Sequence, residues 1–163
     1  MFKKISLPTS KKETYELLIT SLKELISNDD CIMSILANTT SLIKYFLKGV
    51  SWVGFYLYVD NRLKLGPFQG LPACTTIEIG RGVCGSAFEK EQTIIVKDVR
   101  KHTNHIACDA DTKSEIVVPL KVNNKMYGVL DLDSYQLARF TKTDQYYLEI
   151  VCNIVSQILS SLM

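Results

Sequence analysis

The chain has 163 residues, 47% of them hydrophobic, and its 19 lysine and arginine residues nearly balance 17 aspartate and glutamate residues. These values fit one globular domain with a substantial core, and they exclude both a disordered tail and a disulfide scaffold. They also argue against a dedicated nucleic-acid binder, which would carry a clear excess of basic residues.

Apolar runs and cysteine content bear on the compartment. No apolar segment follows the lysines near the N-terminus, and no run of about 18 apolar residues occurs, so we expect a soluble cytoplasmic protein without a membrane span. The five cysteines are an odd number with no framework of pairs. In a reducing compartment we expect free thiols at first, and any disulfide to be a transient part of the chemistry.

Two helices are predicted before any strand. A capping box at Ser10 precedes apolar residues at helical spacing and predicts a helix over 10–27. Asp29 or Asp30 can cap a second helix over 30–47.

The apolar period then changes to two, which predicts strands. The following elements are expected in chain order: strands over 51–59, 62–68 and 74–79, a short helix over 83–90, a strand over 93–99, a polar loop over 100–113, strands over 115–122 and 126–133, and a final helix opened by Thr141 and Asp144. This order predicts an α+β fold with a central, mainly antiparallel sheet of about six strands and helices packed on it. Neither linkers nor repeats occur, so we expect a single domain over 1–163.

Apolar alternation in the last predicted hairpin decides its register. Two wholly apolar sets of side chains share one buried face only if Val122 lies opposite Met126. That register places Glu115 opposite Asp133, with Asp131 one pleat away on the same face. Like charges in such positions are destabilising, so three carboxylates without an interleaved lysine suggest a cationic ligand or a shared proton. A solvated sheet face is the alternative.

Three of the cysteines fall where thiols can react. Cys74 lies at a strand start, Cys84 in a glycine-rich turn and Cys108 in the polar loop. We expect Cys84 to lie near the N-terminus of the short helix, whose dipole favours a thiolate. Cys31 and Cys152 lie in amphipathic helices, where free cysteine usually behaves as a small buried hydrophobe.

Two other ligand classes are considered and set aside. The segment 80–85, GRGVCG, satisfies the dinucleotide pattern GxGxxG, but the helix after it is too short and an antiparallel hairpin follows. The three loop cysteines with His102 and His105 include zinc-ligand types but lack a CxxC knuckle. We therefore predict no metal and no stoichiometric zinc.

The first strand carries two aromatic residues on one face. Trp52 and Tyr56 alternate there with Gly54 between them. They are either core residues or the wall of a site, in which the glycine would leave a slot for a small apolar group.

Six short segments are too specific to be interpreted singly. They are WVGFY at 52–56, LGPFQG at 65–70, GRGVCG at 80–85, HIACDA at 105–110, SEIV at 114–117 and GVLDLDS at 128–134. Together they closely resemble the free methionine-(R)-sulfoxide reductases, a family of enzymes built on a GAF domain. The resemblance spans roughly residues 15–158. It departs from the family pattern at Asn104, where glycine is usual, and at Glu78, where proline is common.

The resemblance implies a role for each candidate residue. Cys108 would be the attacking thiol, and Cys74 or Cys84 the resolving thiol. The carboxylates of Glu115, Asp131 and Asp133 would surround the polar groups of the substrate, and the aromatic rings of Trp52 and Tyr56 would lie against its methylthio end.

The implied reaction is reduction of free methionine-(R)-sulfoxide through a cysteine sulfenic acid and an intramolecular disulfide. Thioredoxin would reduce that disulfide, with NADPH as the indirect electron source, so no bound cofactor is expected. The resemblance also favours a homodimer. A GAF small-molecule or redox sensor without turnover is the alternative, because the fold alone permits both functions.

Overall fold

The computed structural model describes residues 4–102 and 108–163. Within these ranges the elements in chain order are α1 (Lys11–Leu25), α2 (Ile32–Phe46), β1 (Trp52–Val59), β2 (Arg62–Gln69), β3 (Thr76–Glu78), α3 (Gly82–Lys90), β4 (Ile94–Val96), a 3₁₀ turn (Val99–Lys101), β5 (Ser114–Val122), β6 (Lys125–Ser134) and α4 (Lys142–Leu162). The strands form one sheet in the order β3-β2-β1-β6-β5-β4, with every neighbouring pair antiparallel. The predicted α+β class and element order are confirmed.

Local sequence signals account for most element ends. Thr141 begins α4 as predicted, because its backbone N–H donates to Asp144 Oδ2 at 2.7 Å. The start of α2 differs: Cys31 is its N-cap, and the Asp30 carboxylate instead accepts from the Ser27 backbone N–H at 2.9 Å. Cys31 is therefore exposed rather than buried, whereas the expectation for Cys152 is confirmed.

Both faces of the sheet are covered. Helices α2 and α4 pack on one face and α1 packs on those helices, forming the larger core, which includes Phe55, Ile116 and Leu132. The opposite face, which we call the α3 face, is covered by α3 and carries a smaller core with Val117 and Val129. Residues that alternate along one strand therefore enter two different cores.

The predicted hairpin register holds where the carboxylates lie. Glu115 is opposite Asp133, and Val117 is opposite Asp131. These residues belong to the α3 face, where Glu115 and Asp131 are each only 6% exposed. The acidic cluster is consequently buried, and its interpretation as a solvated sheet face is wrong.

The register near the turn differs from the prediction. Val122 pairs with Lys125 rather than with Met126, because the ladder shifts by one residue beyond Leu120. The two turn residues between them, Asn123 and Asn124, both have positive φ, 51° and 62°. Such a two-residue turn fixes the closing pair, so the strand absorbs the extra residue as a bulge. The bulge places Met126 against the smaller core instead of the larger one.

The N-terminal helix is tied to the C-terminal helix through a buried carboxylate. Asp144, which is fully buried, accepts from the Tyr15 hydroxyl at 2.8 Å and from Arg139 Nη1 at 3.1 Å. Tyr15 is also fully buried in the larger core.

In the part of the chain that the structure describes, no helix is long and apolar enough to cross a membrane.

Candidate active site

A pocket on the α3 face brings most of the predicted site residues together. Seven of the eight line it: Trp52, Tyr56, Cys84, Cys108, Glu115, Asp131 and Asp133. The eighth, Cys74, is joined to Cys108 by a disulfide, with the two Cα atoms 5.5 Å apart. Residues far apart in sequence thus converge on one site.

The carboxylates come from the centre of the sheet. Strand β6 lies between β5 and β1, so Asp133 has Glu115 on one side and Trp52 on the other, and Asp131 lies opposite Gly54. Because successive side chains of a strand alternate between faces, Asp131 and Asp133 reach the α3 face while Leu132 enters the larger core. The apolar pattern of the larger core therefore fixes the position of the acids.

The carboxylates occupy an environment that disfavours their charged forms. Burial raises the pKa of Asp131 to about 7, partly offset by the nearby Cys84 thiol. Burial, followed by repulsion from Asp131 and Asp133, raises the pKa of Glu115 well above its usual range, and burial also raises the pKa of Asp133. No lysine, arginine or histidine is among the described residues that line the pocket. The site therefore favours bound protons or a cationic ligand.

The environment of Cys84 is the reverse of the one predicted. Its thiol lies in the first turn of α3, as expected, but is only 3% exposed. Burial, together with the charges of Asp131 and Glu115, raises the pKa of Cys84 well above its usual range. These effects outweigh the helix dipole, which favours a thiolate at this position.

The glycine pattern around Cys84 allows close packing. Gly80 and Gly82 have positive φ, 77° and 63°, and a Cβ at Gly85 would lie 2.4 Å from the Glu78 carbonyl oxygen. The helix that follows has nine residues, and the sheet is antiparallel. Neither feature belongs to a dinucleotide-binding unit, so the pattern serves a tight turn at the pocket.

The segment carrying Cys74 is held by the aromatic wall. The Tyr56 hydroxyl donates to the Cys74 carbonyl oxygen at 2.9 Å, and Trp52 Nε1 donates to the Leu71 carbonyl oxygen at 3.0 Å. The Trp52 ring also stacks on Phe68 with the centroids 5.5 Å apart. These contacts fix the backbone next to the disulfide.

The predicted slot at Gly54 is filled by a neighbouring side chain. A Cβ at Gly54 would lie 2.3 Å from Cη2 of Trp52 and 2.6 Å from the Cβ of Phe68. The glycine therefore makes room for the indole ring rather than for a ligand. Alternation along the strand predicted the shared face but not how far the ring bends over its neighbour.

The residues after Cys108 include contacts that the sequence did not indicate. Asp109 lines the pocket, and its carboxylate accepts from the Tyr135 hydroxyl at 2.8 Å and from the Asp111 backbone N–H at 2.9 Å. An aspartate side chain that accepts from the backbone N–H two residues later, as Asp109 does from Asp111, is a common turn pattern, so the sequence contains a local signal for this contact. Asn104 and His105 lie outside the described residues.

Comparisons with known proteins agree on one family. A sequence model of the GAF domain matches residues 34–160. The chain is 45% identical over 136 residues to the free methionine-R-sulfoxide reductase of Escherichia coli, covering 83% of this chain and 82% of that protein. It is 40% identical over 156 residues to the enzyme of the same name from Saccharomyces cerevisiae, covering 91% and 87% of the two chains.

Solved structures give the same result. The free methionine-R-sulfoxide reductase of Neisseria meningitidis, determined in complex with its substrate, superimposes with a TM-score of 0.88 at 38% sequence identity. The match covers 99% of this chain and 98% of that one. The similarity thus includes the helices and strands that carry the pocket.

Proposed function

Because the chain belongs to the GAF-domain family of free methionine-R-sulfoxide reductases, we propose that it reduces free L-methionine-(R)-S-oxide to L-methionine, with thioredoxin as the electron donor. The observation that carries the proposal is the pocket itself. It combines a cysteine able to form a disulfide, a cluster of buried carboxylates and an aromatic wall. In this proposal the cysteine is the thiol nucleophile, the carboxylates bind the cationic amino group of the substrate, and the aromatic wall contacts its methylthio group.

The proposed reaction has three balanced steps. The Cys108 thiolate attacks the sulfoxide sulfur and a carboxylic acid of the pocket protonates the sulfoxide oxygen. The resulting hydroxyl passes to the Cys108 sulfur as the substrate sulfur–oxygen bond and the transient sulfur–sulfur bond break, so methionine leaves and Cys108 becomes a sulfenic acid. The Cys74 thiol then condenses with the sulfenic acid, forming the disulfide and releasing water. Reduced thioredoxin reduces the disulfide by thiol exchange and becomes oxidised in turn.

Cys74 is the better candidate for the resolving thiol. It is the cysteine paired with Cys108, whereas Cys84 is a free buried thiol. Burial and the neighbouring acids raise the pKa of Cys84, which lowers its thiolate fraction and its rate of attack. We therefore propose that Cys84 shapes the pocket beside the carboxylates.

The carboxylates are proposed to bind the free amino group and to supply a proton. A substrate ammonium would offset the negative charges of Glu115, Asp131 and Asp133, which repel one another in the pocket. A methionine inside a protein lacks that ammonium, so the pocket favours the free amino acid. An acid with a raised pKa can protonate the departing oxygen near neutral pH.

A GAF sensor for a small molecule or for redox state remains the second candidate, because the disulfide and pocket could also serve signalling. Consumption of NADPH, with thioredoxin and its reductase present, separates the two functions. Each separated sulfoxide epimer is supplied in turn, together with a peptide containing methionine sulfoxide as the control. Turnover of the free R epimer alone supports the reductase, whereas no turnover of any of the three favours the sensor.

Further properties follow from the family and belong to the same proposal. We propose a single domain over 1–163, since Tyr15 of α1 lies in the larger core, and a cytoplasmic homodimer that works without a bound cofactor. The partners are the free sulfoxide and thioredoxin, with no nucleic acid or membrane involved. Light scattering during gel filtration tests the dimer, since it measures the mass of the protein in solution.

Replacing Tyr56 by phenylalanine tests how the Cys74 backbone is positioned. The ring remains, so we expect the first methionine to be released at a rate close to that of the parent. Loss of the 2.9 Å hydrogen bond to the Cys74 carbonyl should slow disulfide formation about five- to tenfold, since a typical hydrogen bond contributes about 1 kcal/mol. Dimedone trapping of the sulfenic acid measures the delay. Unchanged trapping would show that the bond has no positioning role.

Replacing Asp131 by asparagine tests the protonation of the acids in the substrate-free protein. Burial raises the pKa of Asp131 to about 7, above its value of about 3.9 in an unfolded chain. Protonation therefore stabilises the fold fully below about pH 4, and this contribution is lost as the pH rises through about 7. We expect the variant to be about 1 to 3 kcal/mol more stable than the parent near pH 8, and to lose most of this advantage near pH 5. Thermal unfolding at both pH values measures the difference; equal shifts at both would contradict it.

A further inference from the structure

One corner of the pocket combines a thiol with two carboxylates. Cys84 of α3, Glu115 of β5 and Asp131 of β6 each offer one ligand atom, and these atoms all lie within 4.8 Å of one another. The three residues are at most 6% exposed. Because they come from one helix and two paired strands, their relative positions are fixed by the fold.

A second observation concerns one buried oxygen atom of this corner. Asp131 is only 6% exposed. Its Oδ1 atom is buried and has no hydrogen-bond partner among the residues of 4–102 and 108–163. Leaving a buried carboxylate oxygen unsatisfied is costly unless a partner occupies the site. The described lining residues supply no cationic side chain, and a bound cation would satisfy this oxygen of Asp131.

We propose that Cys84, Glu115 and Asp131 form a binding site for a thiophilic divalent cation of the Zn²⁺ class. The sulfur donor favours Zn²⁺ or Co²⁺ over Mg²⁺ and Ca²⁺, which prefer oxygen ligands alone. Three protein ligands leave the fourth tetrahedral position open, as in exchangeable or catalytic zinc sites rather than closed structural ones. Binding involves no redox change, and the Cys84 thiol releases its proton to solvent as the metal–sulfur bond forms.

This set differs from the zinc set considered in the sequence. That set needed Cys74 and Cys108, which are joined in a disulfide. The new set has no sequence motif, because its members are 31 and 16 residues apart and meet only through packing of α3 on the sheet. An open, exchangeable site is compatible with the expectation that the protein purifies without stoichiometric zinc.

The metal would compete with the amino acid. Glu115 and Asp131 are the carboxylates proposed to bind the substrate ammonium, so one pocket cannot hold both cations. This consequence rests on the proposed function, whereas metal binding itself does not. Free Zn²⁺ should therefore raise the apparent KM for the sulfoxide and leave kcat unchanged. A fall in kcat at constant KM would overturn the competition.

The binding test uses Co²⁺ as the probe on the full chain in its disulfide form, in which Cys84 is the free cysteine of the pocket. We expect a near-ultraviolet sulfur-to-cobalt charge-transfer band that saturates at one Co²⁺ per chain. Zn²⁺ should abolish the band, excess Mg²⁺ should not, and free methionine should weaken it. No band in the parent protein overturns the proposal, and it does so whether or not the chain is a reductase.

Two variants identify the ligands. Cys84→Ser should lose the band, whereas Cys31→Ser, the matched control, removes an exposed free thiol outside the pocket and should keep it. A band that survives in Cys84→Ser or disappears in Cys31→Ser overturns the assignment. If circular dichroism shows that Cys84→Ser does not fold, Asp131→Asn provides the test. We expect this variant to lose at least about tenfold in Co²⁺ affinity, because replacing even a residue that only orients a metal ligand typically costs about 10- to 100-fold.

Discussion

Cys108→Ser should release no methionine from excess sulfoxide, even in a single turnover, because the proposed nucleophile is absent. A serine hydroxyl is far less nucleophilic toward sulfur than a thiolate. The measurement is rapid mixing of the reduced variant with the free R epimer, followed by counting methionine against active sites. Folding is checked by circular dichroism. Turnover like that of the parent would show that the mechanism is wrong in its first step.

The other two pocket cysteines should fail at different steps. Cys74→Ser retains the nucleophile, so about one methionine per site should appear before the reaction stops, as two-stage covalent catalysis requires. Dimedone should then trap a sulfenic acid, and thioredoxin should not restore turnover. Cys84→Ser, the matched control, should still form the disulfide. If Cys84→Ser stops after one turnover while Cys74→Ser recycles, the resolving role belongs to Cys84.

The position of the acids could be predicted because two requirements in the sequence agree. The larger core needs the apolar residues of β5 and β6 on one face, and alternation then directs Glu115, Asp131 and Asp133 to the other. What alternation could not show was that α3 covers this second face. The burial that raises the pKa values of the acids is a tertiary effect and has no local signature.

Because burial has no local signature in the sequence, the expectation that Cys84 would favour a thiolate was also wrong. A helix N-terminus is visible in the sequence and favours a thiolate by up to about 1 kcal/mol at exposed positions. The opposing effects arise from burial and from Asp131 and Glu115, which lie on other strands. Desolvation and repulsion of this kind can shift a pKa by several units, so together they outweigh the helix dipole at Cys84.

Which cysteine pairs with Cys108 was also beyond the sequence. Cys84 is nearer to Cys108 along the chain, but Cys74 is the residue that the fold places against it. The placement depends on hydrogen bonds from Trp52 and Tyr56 to the backbone of residues 71 and 74. The sequence predicts both aromatic residues as substrate contacts, but alternation along a strand places only their rings and does not show which backbone atoms their polar groups contact.

Asp133→Asn should lower kcat/KM by roughly 30- to 1000-fold, which corresponds to about 2 to 4 kcal/mol of transition-state stabilisation. Asp133 is the half-buried member of the cluster and lies between Glu115 on β5 and Trp52 on β1. Asparagine preserves its size but can neither hold a negative charge for the ammonium nor donate an acidic proton. The measurement is steady-state turnover of the free R epimer with saturating thioredoxin.

A matched control separates this effect from a general loss of negative charge. Asp29→Asn makes the same chemical change at an exposed position between α1 and α2, and we expect kcat/KM within about twofold of the parent, as for ordinary surface substitutions. The stability of Asp133→Asn should not fall, because removing one of three mutually repelling acids relieves the fold: burial and Asp131 raise the pKa of Asp133. Lower activity together with equal or higher stability is the pattern of a residue that is needed for function but lowers the stability of the folded protein. Near-normal kcat/KM would instead show that the cluster binds neither the ammonium nor the departing oxygen.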